Sequence, residues 1–250
     1  MVTRFESDGA KLREGRMPEE HWNMLSEART EVDSQLESNA PFLLYGKVCR
    51  QRRSIGFFAD PSITYGYFYS GVVAKSKLPG EAMKRLLEYI NEFFGSRFNA
   101  VLVNCYKNGD DYISDHSDNE AGLDAKAGVV IVSAGGERTM HFKRAKNASS
   151  GAMAFLKGPF KVELKNGSVV AMQGPEFQRS YTHGIPPEKT RNQPRWSFTF
   201  RHHVPGIDES DKIASAKKTM EKIDAIEARK AAIKEVEAEE GPSAKRAKLK

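Results

Sequence analysis

His116 and Asp118 stand one residue apart in the stretch Ser114-Asp115-His116-Ser117-Asp118-Asn119-Glu120. On extended chain, residues i and i+2 face the same side, so an imidazole nitrogen and a carboxylate oxygen aim at one spot. A further histidine, His183, is expected just past a Gly/Pro-punctuated strand and before Ile185-Pro186-Pro187. Two imidazoles and one carboxylate on one face of an ion leave its other positions open. That suits non-haem Fe(II), which must hold a cosubstrate and O2 together. A His-x-Asp pair alone is equally what a solvated loop looks like, and a lone histidine is ordinary, so a second signal is required.

The run Arg195-Trp-Ser-Phe-Thr199-Phe-Arg201 supplies it. Polar residues alternate with Trp196, Phe198 and Phe200, so one face packs in a core and the other shows Arg195, Ser197, Thr199 and Arg201 to a shared cavity. Two inward arginines are costly unless an anion neutralises them. Six residues of strand span about 20 Å, a gap that two long side chains and a small dicarboxylate such as 2-oxoglutarate can fill together. Asn104 and Tyr106 are likewise i and i+2 on one strand, and both can hydrogen-bond a carboxylate without adding charge.

These residues need a β framework. From Asn99 to Val204 short strands dominate, predicted over 100–106, 128–133, 138–143, 152–156, 168–172 and 195–203, with Gly, Asn, Asp and Pro between them. That spacing points to an antiparallel sandwich or barrel. Residues 42–73 read as strands and turns, rich in aromatic and β-branched residues. Apolar residues at three-to-four spacing predict helices over Pro18–Leu36 (Trp22, Leu25, Ala28, Val32) and from about Gly80 to Phe94 (Met83, Leu86, Leu87, Ile90). Residues 1–17 read as polar and mobile. Residues 208–239 form a long charged helix, too thinly apolar to make a core by itself, which is either a solvated tail, a helix resting on the core or a site for a protein partner.

The chain has 250 residues, of which 39% are hydrophobic, enough for one well-packed core with appendages. No apolar run approaches membrane-spanning length, and the first ten residues lack a signal pattern. Two cysteines, Cys49 and Cys105, make no disulfide framework, and a reduced compartment fits. The net charge is +6, but four of the last six residues are basic (Lys245, Arg246, Lys248, Lys250), and without them the excess is +2. A surface for a polyanion must then be a local patch rather than a property of the whole chain.

The pattern N-x-Y-x-x-G-x-D-x-I-x-x-H-x-D-x-E from Asn104 to Glu120, a histidine followed by Ile-Pro, and R-x-x-x-T-x-R from Arg195 resembles the AlkB family of oxidative nucleic-acid demethylases. The resemblance covers residues from about 42 to 203. Ten residues separate Tyr106 from His116, twelve separate His183 from Arg195 and six separate Arg195 from Arg201. It implies an α+β, mainly β fold, a double-stranded β-helix (jelly roll) with flanking helices. The expected division is an N-terminal segment (1–40), a dioxygenase domain (41–205, with nucleotide recognition over 41–98 and the jelly-roll core over 99–205) and a helical tail (206–250). It implies Fe(II) bound by His116, Asp118 and His183, and 2-oxoglutarate bound by Asn104, Tyr106, Arg195, Thr199 and Arg201.

The same resemblance reads Leu44-Tyr45-Gly46-Lys47, Arg50-Gln-Arg52-Arg53 and Tyr67-Phe68-Tyr69 as a nucleotide-recognition region close to that of the duplex-DNA branch. Tyr45 would wedge into the base stack and offset part of the unstacking that base flipping requires. Tyr69 would stack on the flipped base opposite His116, with Tyr67 beside it, and Glu120 would contact its exocyclic amino group. Lys47, Arg50, Arg52 and Arg53 would hold phosphates. The implied partner is methylated DNA or RNA, and the implied lesions are the cationic 1-methyladenine and 3-methylcytosine, favoured by Asp118 and Glu120. The basic run Ala244–Lys250 resembles a nuclear-import signal; otherwise a cytoplasmic location is expected. A 2-oxoglutarate oxygenase acting on protein or a small molecule, and a non-catalytic binding module, stay open as alternatives.

Overall fold

The computed structural model describes residues 1–7, 9–118, 120, 122–146, 148 and 160–239. The chain opens with a hairpin, β1 (Val2–Ser7) and β2 (Ala10–Arg16), and then α1 (Trp22–Asp33). Next come β3 (Pro41–Leu44), β4 (Lys47–Arg50), β5 (Ser54–Ala59), β6 (Gly66–Tyr69), β7 (Val72–Lys77) and α2 (Glu81–Phe94). The central strands are β8 (Ala100–Tyr106), β9 (Ile113–His116), β10 (Val129–Gly135), β11 (Arg138–Arg144), β12 (Phe160–Leu164) and β13 (Ser168–Gln173). A short turn of helix, α3 (Phe177–Ser180), leads to β14 (Tyr181–Ile185), β15 (Arg195–Arg201) and the long α4 (Ser210–Glu239).

Nine strands form one sheet in the order β1-β2-β13-β10-β15-β8-β5-β7-β6, and four form a second in the order β12-β11-β14-β9. The two sheets face each other as the jelly roll expected from the sequence. Alternation along the central strands divides the interior. Val101 and Val103 of β8, Val130 and Val132 of β10, and Phe198 and Phe200 of β15 pack against Leu25, Ala28, Met83 and Leu86 of α1 and α2. The intervening residues point the other way, where Tyr106, Val129 and Ile131 meet Met140, Phe142, Tyr181 and Ile185 of the small sheet. The site residues of β8 and β15 lie on this second face, between the sheets.

The N-terminus departs from expectation. Residues 1–17 are no mobile lead-in: β2 pairs with β13 from Arg16↔Ser168 to Lys11↔Gln173 and extends the large sheet. Leu12 is fully buried and Ala10 nearly so. On a strand with one packed face, two small-to-medium apolar residues suffice, and the charged outward residues make the segment read as polar. The boundary expected at residue 40 therefore cuts through one continuous sheet. The strands containing Ile113–His116, Phe160–Leu164 and Tyr181–Ile185 were not anticipated as strands, whereas those of β8, β10, β11, β13 and β15 lie within one or two residues of their predicted ends. The strand expected over 152–156 and the basic cluster Lys245, Arg246, Lys248 and Lys250 lie outside the described residues. No described helix is long and apolar enough to cross a membrane.

The first half of α4 is not a free tail. Ala216 and Ile223 are buried against the protein body. Glu209, just before the helix, accepts hydrogen bonds from Thr64 Oγ1 at 2.9 Å and from the Tyr65 amide at 2.7 Å. Glu227, farther along, pairs with Arg50 of β4.

Leu12→Ala tests the place of the hairpin in the fold. Removing a fully buried side chain between the sheets is expected to lower unfolding stability by roughly 2–5 kcal/mol, read from urea denaturation. A change within error would return the segment to a dispensable lead-in.

Candidate metal centre and base recess

Strand pairing assembles the triad. His183 of β14 and His116 of β9 are direct register partners across the small sheet, and their ring centroids lie 4.4 Å apart. Asp118 follows two residues after His116 and is held by its neighbours. Its amide donates to Gln178 Oε1 at 2.8 Å, and Ser117 Oγ donates to the Tyr181 carbonyl at 2.7 Å. Asp118 Oδ1 lies 3.8 Å from His116 Nε2, and Oδ2 lies 3.7 Å from His183 Nε2. The three donor groups offer atoms all within 4.8 Å of one another. His116 Nδ1–H donates to the Ser114 carbonyl at 2.9 Å, which leaves the Nε2 lone pair for an ion. Asp118 Oδ2 is buried without a hydrogen-bond partner in the described structure. An uncompensated carboxylate oxygen aimed between two imidazoles is the donor set a divalent iron needs.

The electrostatics agree. Burial pushes His183 down to about 3, so its ring stays neutral and able to ligate. His116 is lowered too, chiefly by burial. Burial alone would raise the Asp118 carboxyl, but the charge of the Arg201 guanidinium beside it overcomes this and holds the group below the usual carboxylate range. Arg201 Nη2 donates to Asp118 Oδ1 at 2.7 Å, and Nη1 donates to Glu120 Oε1. Burial still raises Glu120 to about 7, because one guanidinium serves two acids.

The β8–β15 register brings together the residues expected from the sequence to hold a diacid. Arg195 pairs with Tyr106, Ser197 with Asn104, and Thr199 with Leu102. Arg195 is fully buried. Its Nη2 donates to Ser133 Oγ at 2.9 Å, while Nε and Nη1 have no hydrogen-bond partner among the described residues. Burial draws this guanidinium down to about 10. Its charge lacks a counter-anion, and a carboxylate of 2-oxoglutarate fits that need. A narrow cavity of about 20 Å³ is lined by Asn104, Tyr106, Thr199, Arg201 and the triad. It has room for roughly one water. Seating a diacid therefore requires lining side chains to turn aside, and unbranched Met140 is the most adaptable of them.

Above the triad an open recess of about 460 Å³ is walled by Tyr67, Tyr69, Arg53, Tyr112, Asp115, His116 and Glu120, with Phe42 and Leu44 of the β3–β4 hairpin at its edge. Tyr45 projects from the hairpin tip at 96% exposure. It and Gly46 both have positive φ, 48° and 75°, the backbone of a tight two-residue hairpin turn. The expected phosphate-binding cluster is redistributed. Lys47 and Arg52 are exposed, but Arg50 is paired with Glu227. Arg53 is buried because it turns into the recess wall, where its Nε donates to Asn104 Oδ1 at 2.7 Å.

Arg138 was not singled out as a site residue. It is fully buried, and it donates to the carbonyls of Asn108, Asp111 and Pro186 at 2.9, 2.6 and 2.8 Å, and to Glu188. It thereby ties the loop entering β9 to the loop leaving β14, the two strands that carry the histidines. Gly109 completes the tie, since a Cβ there would lie 2.0 Å from the Glu188 carbonyl oxygen. An arginine opening a strand after Gly135-Gly136 carries no local mark of this role; its partners come from two loops far from it in the chain.

A jelly roll with two histidines and an aspartate at its mouth, beside a buried arginine awaiting an anion, defines a non-haem iron oxygenase scaffold. Residues 16–201 match the 2OG-Fe(II) oxygenase superfamily, and the chain belongs to it. Within that superfamily it is AlkB-like. It is 28% identical over 182 residues to the DNA oxidative demethylase ALKBH2 of Bos taurus, covering 73% of this chain and 64% of that protein. The Homo sapiens protein of the same name is 28% identical over 178 residues, covering 71% and 67%. The human alpha-ketoglutarate-dependent dioxygenase alkB homolog 3 is 29% identical over 155 residues, covering 59% and 54%. The matched stretch thus spans about two-thirds or less of the length of these three relatives. The solved structure of OsALKBH1 aligns over 80% of this chain at 17% identity with a TM-score of 0.48, too loose a likeness to carry an argument.

Two substitutions separate the metal from the diacid. Asp118→Ala is expected to abolish Mn(II) binding in titration calorimetry, whereas Glu120→Gln retains it, because Glu120 is no member of the triad. Arg195→Met is expected to raise the 2-oxoglutarate concentration for half-maximal consumption by roughly ten-fold or more, the loss of a charged hydrogen bond, with metal binding unchanged. An unaltered requirement would remove Arg195 from the anion pocket.

Proposed function

We propose that this protein is an oxidative demethylase that removes N-methyl groups, such as those of 1-methyladenine and 3-methylcytosine, from bases of DNA or RNA. One observation carries the reading: His116 of the triad lines an open, tyrosine-walled recess and also the narrow cavity that holds the whole triad. A recess walled by aromatic rings and open to solvent suits a base taken out of its stack. Bound iron with 2-oxoglutarate and O2 would supply the oxidising power that hydroxylates the methyl group, with succinate and CO2 formed and formaldehyde then lost from the base.

The chain's own residues do the rest. His116, Asp118 and His183 would hold the ion, and Arg195, Asn104, Tyr106 and Thr199 the diacid. Arg201, bonded to Asp118, keeps that carboxylate ionised and oriented. Tyr69 and His116 would flank the base, and Tyr67 would shield Arg201, whose guanidinium carbon lies 4.9 Å from the Tyr67 ring centre. Exposed Tyr45 would enter the stack, with Lys47 and Arg52 on phosphates. Three relatives named as nucleic-acid demethylases or AlkB homologues support the substrate class. A nuclear location accords with the basic cluster at the C-terminus.

Incubation with Fe(II), 2-oxoglutarate and methylated oligonucleotides is expected to produce succinate and a mass loss of one methyl group, and His116→Ala to abolish both. Tyr45→Ala is expected to slow turnover on duplex by roughly ten-fold, as loss of one stacking contact does, and to spare single strands. Equal turnover by Tyr45→Ala on every substrate would favour an oxygenase whose substrate is a protein or small molecule.

A further inference from the structure

The helix α4 lies beyond residues 16–201, the part of the chain that matches the superfamily, yet it borders the recess along much of its length. Near its start, Lys212 Nζ lies 5.3 Å from the centre of the Phe68 ring, and its charge reaches Glu120. Both of those residues wall the recess. Two turns on, Thr219 Oγ1 lies 3.3 Å from where a Cβ of Gly71 would stand, beside Ser70 of the recess. Farther still, Glu227 pairs with Arg50, another recess residue. The helix is therefore an outer rim that runs from the recess to the base of the hairpin carrying Tyr45.

The charges of this rim are sorted by side. Ala216 and Ile223 mark its buried line. On one flank Lys217, Glu221 and Asp224 line a cavity beneath the helix with Val72 and Ala74 of β7. On the other flank, three residues on from Thr219, comes Lys222, with Lys218 and Arg229 on the same stripe; all three are exposed. Charged helices usually alternate signs at a spacing of three or four and so neutralise themselves. Here no acid stands three or four residues from Lys222 or Arg229, and among the described residues neither forms an ion pair. From Lys212 to Arg229 the helix spans about 26 Å at 1.5 Å per residue. Successive phosphates of one strand lie about 3.4 Å apart along a duplex, so that length matches about eight nucleotides. Resting on the demethylase reading, we infer that the flank bearing Lys218, Lys222 and Arg229 is a phosphate rail for the nucleic-acid strand whose methylated base enters the recess. It adds to exposed Lys47 and Arg52 and holds the strand without reading its sequence. An acidic protein would match the same charge, but the strand is favoured because the rail begins at the recess that receives one of its bases.

The test uses the full chain and two DNA single strands built around the same 3-methylcytosine, one of about three nucleotides and one of about twenty, enough to follow the whole rail. Binding of the long strand is read by fluorescence anisotropy over a range of NaCl concentrations. Turnover of both strands with Fe(II) and 2-oxoglutarate is read by mass. Lys222→Gln/Arg229→Gln is expected to flatten the slope of log affinity against log salt by about 1.4, the share of two phosphates on a single strand, and to weaken binding at low salt roughly ten-fold or more. It is expected to leave kcat/KM on the short strand unchanged. Lys217→Gln, which removes a charge from the opposite flank, is expected to leave the slope as it is. All three positions are exposed, and glutamine is as good a helix former as lysine or arginine, so the variants keep the helix. An unchanged slope in the double variant overturns the rail and leaves the flank to an acidic protein; an equal loss on the short strand, or an equal shift with Lys217→Gln, overturns it too. Methyl removal is a separate readout. A wild-type chain that binds the long strand and leaves the methyl group in place overturns the demethylase reading, whereas methyl removal with an unchanged slope overturns the rail alone.

Discussion

Arg201 lies between the two sheets with almost no exposure, and its guanidinium holds Asp118 with one arm and Glu120 with the other. Buried charges survive only when paired, and removing one partner leaves the other uncompensated. This contact organises the site. It keeps Asp118 ionised despite complete burial, and it occupies Oδ1 so that Oδ2 is the oxygen left without a partner beside His183. Arg195, six residues earlier on the same strand, has the opposite condition. Among the described residues it donates to a hydroxyl and meets no carboxylate, so the same strand carries one guanidinium neutralised by two acids and one without an acid partner.

The scaffold around this pair is built to keep strands from drifting. His116 and His183 meet because β9 and β14 are paired in register. The loops flanking those strands are tied by Arg138 through three backbone carbonyls and by the close approach of Gly109 to Glu188. Opposite them, the candidate cosubstrate residues are fixed by the β8–β15 ladder, where Asn104 faces Ser197 and Tyr106 faces Arg195. A site with its metal triad on one sheet and its candidate diacid residues on the other is as precise as the registers that hold it, and here both registers are internal to the protein.

The recess is more closely connected to the cosubstrate pocket than its residues suggest one at a time. Arg53 lines the recess and bonds Asn104, which lines the narrow cavity below. On the outer side, α4 touches the same region twice, through Glu209 at Thr64 and Tyr65 and through Glu227 at Arg50. The helix braces the β3–β4 hairpin that carries Tyr45. The charged character of α4 is thus compatible with packing: Ala216 and Ile223 supply the buried stripe, and Glu209 and Glu227 add polar contacts on either side of it.

Local pattern determined a good deal. The i, i+2 spacing of His116 and Asp118, the alternation from Arg195 to Arg201, and the pair Asn104 and Tyr106 made both the triad and the arginine-lined cavity legible, because strand geometry sends alternate residues to one side without help from the rest of the chain. The helices at Trp22–Asp33 and Glu81–Phe94 were legible from their periodicity for the same reason. What depends on distant partners was not. The β1–β2 hairpin reads as polar because few of its residues, chiefly Phe5, Ala10 and Leu12, pack inward, and the burial of the β2 pair exists only once β13 pairs alongside. Arg53, within a basic run, reads as a surface cation, and only the approach of Asn104 from β8 turns it inward. Arg138 carries no signal, since its carbonyl partners lie on separate loops. Residue types and spacing settle which side chains share a face; which faces meet, and which charges find a partner there, is decided when strands far apart in the chain pair and exclude water between them.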